Sequence, residues 1–158
     1  MLKGIKIRLY PSDEQMVYMN KLIGDSRFVY NKCLSFKSME YGLFNNSTGI
    51  SQTNKRYIEL KSEFEWLGES HSKVMQQSLQ NLETAFSNFF KDIKKGDKKV
   101  GVGYPEFKKK KGKESCRFPK DAISGVKGNR INIIKKLSDI HFKCSSRDER
   151  NYGRARSL

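Results

Sequence analysis

The sequence predicts an α+β fold in which a β-rich domain is interrupted, after its first strand, by a helical unit. Three observations lead there. The opening "LKGIKIRLYP" alternates apolar and basic residues, residues 12–95 keep helical spacing almost throughout, and beyond Gly96 short apolar or alternating pieces sit between glycine-rich and charged turns. The domains then read as a discontinuous β domain over 1–11 and 96–146, a helical domain over 12–95, and a flexible tail from residue 147, where "RDERNYGRARSL" has almost no apolar content.

In the first strand Leu2, Ile5, Ile7 and Leu9 alternate with the basic Lys6 and Arg8, with a break at Gly4 and a stop at Pro11. Ser12 is placed to cap a helix, with Gln15 at the reciprocal position, Asp13 and Glu14 in the first turn, and Gly24 as the stop. A second helix is expected from Ser26 to Gly42, with Phe28, Val29, Cys33, Phe36 and Met39 near helical spacing, followed by the loop "LFNNSTG". A third starts near Ser51, turns Tyr57, Ile58 and Leu60 inward, and ends at Trp66-Leu67. The fourth, Ser72 to Lys95, has an apolar seam of Met75, Leu79, Leu82, Phe86, Phe89 and Ile93, and Phe86, Phe89 and Phe90 are assigned to the core. Further strands are expected in "ESCRFP", "RINIIKKL" and "IHFK". The helical unit is thus expected to be a four-helix bundle.

Charge narrows the function. The chain of 158 residues has 32 Lys and Arg against 17 Asp and Glu, a formal net charge of +15. Residues 1–90 contribute +2 and residues 91–158 contribute +13. Such a field attracts polyanions. No apolar run approaches the ~18 residues of a membrane span, so no membrane partner is expected. The early charges of "MLKGIKIRLYP" do not suit a signal peptide. Cys33, Cys116 and Cys144 are odd in number and far apart, which suits a reducing cytosol. Without a C-x-x-C pair, and with only His71 and His141, neither a metal site nor any cofactor is expected.

No catalytic constellation is expected. There is no G-x-G-x-x-G and no P-loop, "GVGYP" lacks the lysine and spacing of a phosphate cradle, and the carboxylates are scattered over helix surfaces. The stretch "GYPEFKKKKGKESCRFP" is more informative. Tyr104, Phe107 and Phe118 bracket Lys108, Lys109, Lys110, Lys111 and Lys113, so cations can meet phosphates while aromatics anchor or stack. A solvated loop whose aromatics pack inward is the other reading, and the two are compatible.

In order along the chain, "IKIRLYPSDEQ", "SRFVYNKCL", "ELKSEFEWLGESHSKVMQQSLQNLETAFSNFFK", "KKVGVGYPEFKKKK", "SCRFP" and "HFKCS" resemble the N-terminal part of the TnpB (OrfB) proteins of insertion sequences, over about residues 3–146. Members of that family are transposon-encoded RNA-guided DNA endonucleases. The resemblance implies a small barrel-like wedge domain that grips a guide RNA scaffold. It also implies a helical recognition domain, containing a helix-turn-helix, that reads a transposon-adjacent DNA motif together with the wedge. The family's RuvC-like nuclease, with its metal-binding carboxylates and zinc ribbon, lies further along than this sequence reaches. Binding without cleavage is therefore expected, with guide RNA and double-stranded DNA as partners and a separate nuclease-bearing chain as a possible third.

Carried onto this sequence, the family's motif-reading positions fall on Gln52, Thr53 and Asn54 and on Ser72, Gln76 and Gln77, whose amides and hydroxyls suit base edges. Gln76 and Gln77 are equally well explained as helix formers opposite the Met75/Leu79 seam. Lys55, Arg56 and Lys73 would then hold phosphates, and Arg8, Tyr104, Lys108 to Lys111, Lys113, Arg117 and Lys120 would face RNA or heteroduplex. Two other readings stay open: a protein-only helix-turn-helix regulator at transposon ends, and a non-functional transposase remnant.

Overall fold

The structure is a computed structural model that describes residues 4–95, 103–111 and 114–144. Lys113 and the expected tail lie outside the described residues. The elements run β1 (Ile7–Tyr10), α1 (Asp13–Phe44), α2 (Ile50–Glu63), α3 (Ser72–Lys95), β2 (Gly125–Lys127), β3 (Arg130–Asn132) and β4 (Ile140–Cys144), with short 3-10 helices at Glu65–Glu69, Lys120–Ala122 and Lys135–Leu137. The fold is α+β, with one strand before the helices and three after them among the described residues. The chain divides into two compact units: Asn20–Pro119, and residues up to Met19 together with the chain from Lys120 on.

In the sheet unit the four strands are antiparallel in the order β1-β4-β3-β2. The sheet is open, not a closed barrel, because four strands of three to five residues are too few and too short to curl round on themselves. "ESCRFP" forms no strand. Gly128, at φ 59°, supplies the positive φ of the two-residue turn joining β2 and β3. Ile133, Ile134, Leu137, Ile140 and Phe142 bury the inner side. The first residues of α1 belong to this unit. The Ser12 and Gln15 capping box forms as expected: the Ser12 N–H donates to Gln15 Oε1 at 3.0 Å and the Gln15 N–H to Ser12 Oγ at 3.3 Å. Gln15 Nε2 also donates to the Ser138 carbonyl at 2.8 Å, tying the helix start to the turn before β4.

The expected break at Gly24 does not occur, and α1 runs unbroken for 32 residues. A helical glycine costs only about 1 kcal/mol relative to alanine. Asp25 and Ser26, which read as turn residues, are buried and spent on tertiary bonds instead. Ser70 Oγ donates to Asp25 Oδ2, and Ser78 Oγ donates to the Ser26 carbonyl at 2.6 Å. Three α-helices therefore stand where four were expected. The helix ends at Phe44, where Asn45 turns left-handed at φ 50° and the Asn46 N–H returns to the Glu40 carbonyl at 3.2 Å.

The helices meet at a buried ion pair. Lys37 Nζ of α1 donates to Glu83 Oε1 of α3 at 2.8 Å and to the Thr48 carbonyl, while Thr53 Oγ1 of α2 donates to the same carboxylate oxygen at 3.2 Å. The buried core of the unit is made of Leu22, Val29, Cys33, Leu34, Tyr57, Leu60, Leu67, Met75, Leu79 and Leu82. Ile58 corrects the expected inward set: it is 67% exposed, because α2 buries only the Thr53, Tyr57 and Leu60 stripe. The α3 seam holds as far as Phe86. Phe90 is 50% and Ile93 60% exposed, so the end of α3 is not core.

Burial raises the Asp25 carboxyl above its usual range, against the opposing Ser70 hydrogen bond and the Lys21 charge. The native state therefore holds the proton more tightly than the unfolded chain. The group's stabilisation is full below the unfolded value of 3.8 and is lost as pH rises through the higher folded value. Asp25→Asn, which keeps an acceptor for Ser70, should abolish that pH dependence and leave stability at neutral pH equal or higher in urea titrations. Glu83→Ala strands the Lys37 charge and should cost roughly 3–5 kcal/mol by urea unfolding, whereas the double change Lys37→Met with Glu83→Leu should recover most of the loss.

Candidate nucleic-acid interface

The lysine run is held on one stripe of α1. Residues 27, 31 and 38 lie along that stripe with Tyr30 beside it. Asn31 clamps the Lys108 backbone from both sides: its Nδ2 donates to the Lys108 carbonyl at 3.0 Å, and the Lys108 N–H donates to its Oδ1 at 2.8 Å. Lys108 Nζ lies 4.2 Å from the centre of the Tyr30 ring, and burial pulls its ammonium pKa down. Tyr104 shares a hydrogen bond of 2.9 Å with Ser38 and meets Phe86 and Phe89 edge-on, with ring centres 5.5 and 5.4 Å apart. Arg27 pairs with Glu114. Pro105 is buried between these fixtures.

This anchoring divides the lysines by role. Lys108 is structural, a partly desolvated cation on an aromatic face. Lys109, Lys110 and Lys111 are exposed and unpaired among the described residues, as is Arg117, which was expected to face RNA or heteroduplex, and Phe107 is exposed beside them. Phe118 is half-buried.

The expected motif readers do not all reach the surface. Thr53 is 0% exposed, with its hydroxyl also given to the Gly49 and Ile50 carbonyls at 3.2 and 2.9 Å, so it cannot touch a base. Gln52 is exposed, but its Oε1 accepts the Gly49 N–H at 3.0 Å and caps α2. Arg56 is held by Glu59 at 2.9 Å and Glu63 at 2.6 Å, which weakens it as a phosphate anchor. Asn54 and Lys55 on α2, and Ser72 and Gln76 on α3, are exposed. Lys73 is half-buried, as is Gln77, whose Nε2 lies 3.5 Å from Asn81 Oδ1.

In the sheet unit Arg8 lies exposed on the outer side of β1, and Lys120 is exposed at the start of its 3-10 helix. The register places Arg8 directly opposite Lys143, and Tyr10 opposite His141, all on the outer face. The Tyr10 ring centre is 5.5 Å from the Arg8 guanidinium carbon and 5.7 Å from Lys143 Nζ. Tyr10, His141 and Lys143 were not singled out from the sequence. Tyr10 shares a face of β1 with Arg8 two residues before it, whereas His141 and Lys143 reach Arg8 only through strand pairing over more than 130 residues of chain separation.

The thiols contribute no reactive group to either surface at Cys33 and Cys116. Burial pushes Cys33 up to about 12 and Cys116 up to about 11.

The exposed basic surface, with aromatics among the cations, is suited to a polyanion, and residues 1–43 match the helix-turn-helix domain of the OrfB_IS605 type. Those matched residues fold as β1 and most of α1. The chain belongs to the TnpB (OrfB) family of insertion-sequence proteins. An Escherichia coli K12 protein named "Putative RNA-guided DNA endonuclease InsQ" is 29% identical over 146 residues, covering 91% of this chain and 34% of the relative. A Streptomyces pristinaespiralis protein named "Putative RNA-guided DNA endonuclease" is 31% identical, covering 90% and 34%. "Virulence protein VsdF" of Salmonella dublin is 33% identical over 126 residues, covering 72% of this chain and 98% of that protein. The chain thus spans about a third of the length of the first two relatives.

Asn31→Ala should release the Lys108 backbone. Amide hydrogen exchange at Lys108 should accelerate, and polyanion affinity should fall with an unchanged salt slope. Replacing Lys109, Lys110 and Lys111 together with Ala should lower the salt slope by roughly 2–3, since each phosphate contact contributes about 0.7–0.9.

Proposed function

We propose that this chain is the nucleic-acid-binding part of a TnpB-like RNA-guided DNA-targeting protein, holding a guide RNA scaffold and a transposon-adjacent DNA motif without cutting DNA itself. The observation that carries this is the cross-strand pair of Arg8 and Lys143. Like charges in direct register on an exposed face repel each other. Phosphates lying across the face remove that cost, and Tyr10 between the two cations offers a base a stacking surface. The sheet unit thereby serves as the wedge.

On this reading Asn54, Ser72, Gln76 and Gln77 contact base edges, Lys55 and Lys73 hold the flanking phosphates, and Lys109 to Lys111 with Arg117 and Lys120 follow RNA or heteroduplex. The pairing of Arg56 with Glu59 and Glu63 leaves Lys55 as the exposed cation of that turn of α2, a thinner cationic margin than a protein-only DNA reader would need. Binding without cleavage is supported by how the carboxylates are used: Glu59, Glu63, Glu69, Glu83, Glu114 and Asp139 are each spent on a Lys or Arg.

The test is to purify the chain from cells carrying its native locus, without nuclease treatment, and to sequence the RNA that survives a high-salt wash. A discrete RNA mapping beside the element's end, lost on combining Arg8→Ala with Lys143→Ala, is expected. A random population or none would reject the reading. Gln76→Ala should lower discrimination between DNA motifs by about 1–3 kcal/mol, and an equal loss on every sequence would restrict Gln76 to the backbone.

A further inference from the structure

Where the α3 seam runs out of partners, the helical unit has a pocket of about 550 Å³, within the range of small-ligand sites. Its walls are Tyr41, Phe89, Phe90 and Tyr104, and its floor is Phe86 with the Lys37–Glu83 ion pair and Thr48. Tyr41, Phe90 and Tyr104 are 63%, 50% and 47% exposed, and they line one pocket together, so their exposed rings form a grouped aromatic surface of the kind that marks binding sites. Thr48 is only 8% exposed, and its hydroxyl is buried without a hydrogen-bond partner, so the floor keeps unmet polar capacity.

We propose that this pocket takes an unstacked nucleobase from a single-stranded segment of nucleic acid. The proposal rests on the nucleic-acid reading above and adds a site to it. Charge decides the occupant. Lys91 and Lys94 are exposed on α3 within about a turn of Phe90, while Lys109 to Lys111 lie further off on the same anchored loop as Tyr104, beyond Lys108, whose backbone is held at Asn31, seven residues along α1 from Ser38. A greasy peptide would be poorly matched by that cationic rim, whereas a nucleotide supplies both parts: a planar ring for the aromatic walls and a phosphate for the lysines. A base edge also brings donors and acceptors to a polar floor, which an aliphatic group does not. A paired base within a duplex cannot enter, because its faces are already stacked.

The test uses the full chain and compares a short uridine oligomer with an abasic oligomer of the same length. Phe90→Ala and Tyr41→Ala change exposed residues, and thermal melts check that each variant folds. Each should weaken the uridine oligomer about 5- to 150-fold, leave the abasic oligomer unaffected, and keep the salt slope. An oligomer carrying 5-iodouracil should photo-cross-link to Tyr41, Phe90 or Tyr104. Running the ribo- and deoxyribo-oligomers in parallel identifies which strand supplies the base. The pocket is rejected, with nucleic-acid binding intact, if neither variant distinguishes the two oligomers while the Lys109 to Lys111 alanine variant still lowers the salt slope. Cross-links confined to other residues, or an equal loss on duplex, also reject it. If no oligomer binds at all, both readings fall.

Discussion

The ion pair between Lys37 and Glu83 is the constraint on which the helical unit depends. Neither charge is tolerable alone in a desolvated setting, and each is satisfied only when α1, α2 and α3 are all in place. Lys37 also takes the Thr48 carbonyl and lies 4.9 Å from the centre of the Phe86 ring. The same few atoms therefore fix the entry to α2 and the floor of the aromatic pocket. Their effect on the candidate interface is direct. By drawing Thr53 down onto Glu83, the pair removes one hydroxyl from the surface of α2 and leaves Gln52 and Asn54, on either side of it, exposed.

The continuity of α1 is the second determinant. Gly24, Asp25 and Ser26 are locally a stop signal, yet two of them find better partners in Ser70 and Ser78 than a turn would offer. A helix so fixed presents Arg27, Tyr30, Asn31 and Ser38 along one side, and the lysine-bearing loop is laid on that side by an ion pair, an aromatic face, a backbone clamp and a shared hydroxyl bond. Order in the loop is what gives its charges a defined geometry. Lysines on a mobile tether would lose entropy on binding that these have already lost on folding.

The two units present different chemistry on their surfaces. The sheet unit offers cations directly opposite each other around a tyrosine, a short repulsive arrangement that suits a backbone lying across strands. The helical unit offers a row of consecutive lysines and, on α2 and α3, amide and hydroxyl groups suited to base edges. The polar character of α2 and α3 at these positions is set by the sequence, but their availability is not: Gln52 is tied to a cap and Arg56 to two glutamates.

Several features were legible from the chain alone. The order of strand, helices and strands follows from local periodicity, the Ser12 and Gln15 cap from a short-range motif, and the strongly basic character from composition, because each depends on residues a few positions apart or on composition. The chain also carries enough of its family's motifs, in order, to be placed in it. What needed tertiary structure is whatever depends on a partner distant in sequence. The seam of α3 continues in sequence to Ile93, but burial stops at Phe86, because a periodic face shows which side is apolar and not how far a neighbour extends along it. Thr53 looked like a surface hydroxyl until Glu83 claimed it, and Lys143 became a partner of Arg8 only through register. Local pattern fixes the face that each residue occupies, and long-range pairing decides whether that face meets protein, water or nucleic acid.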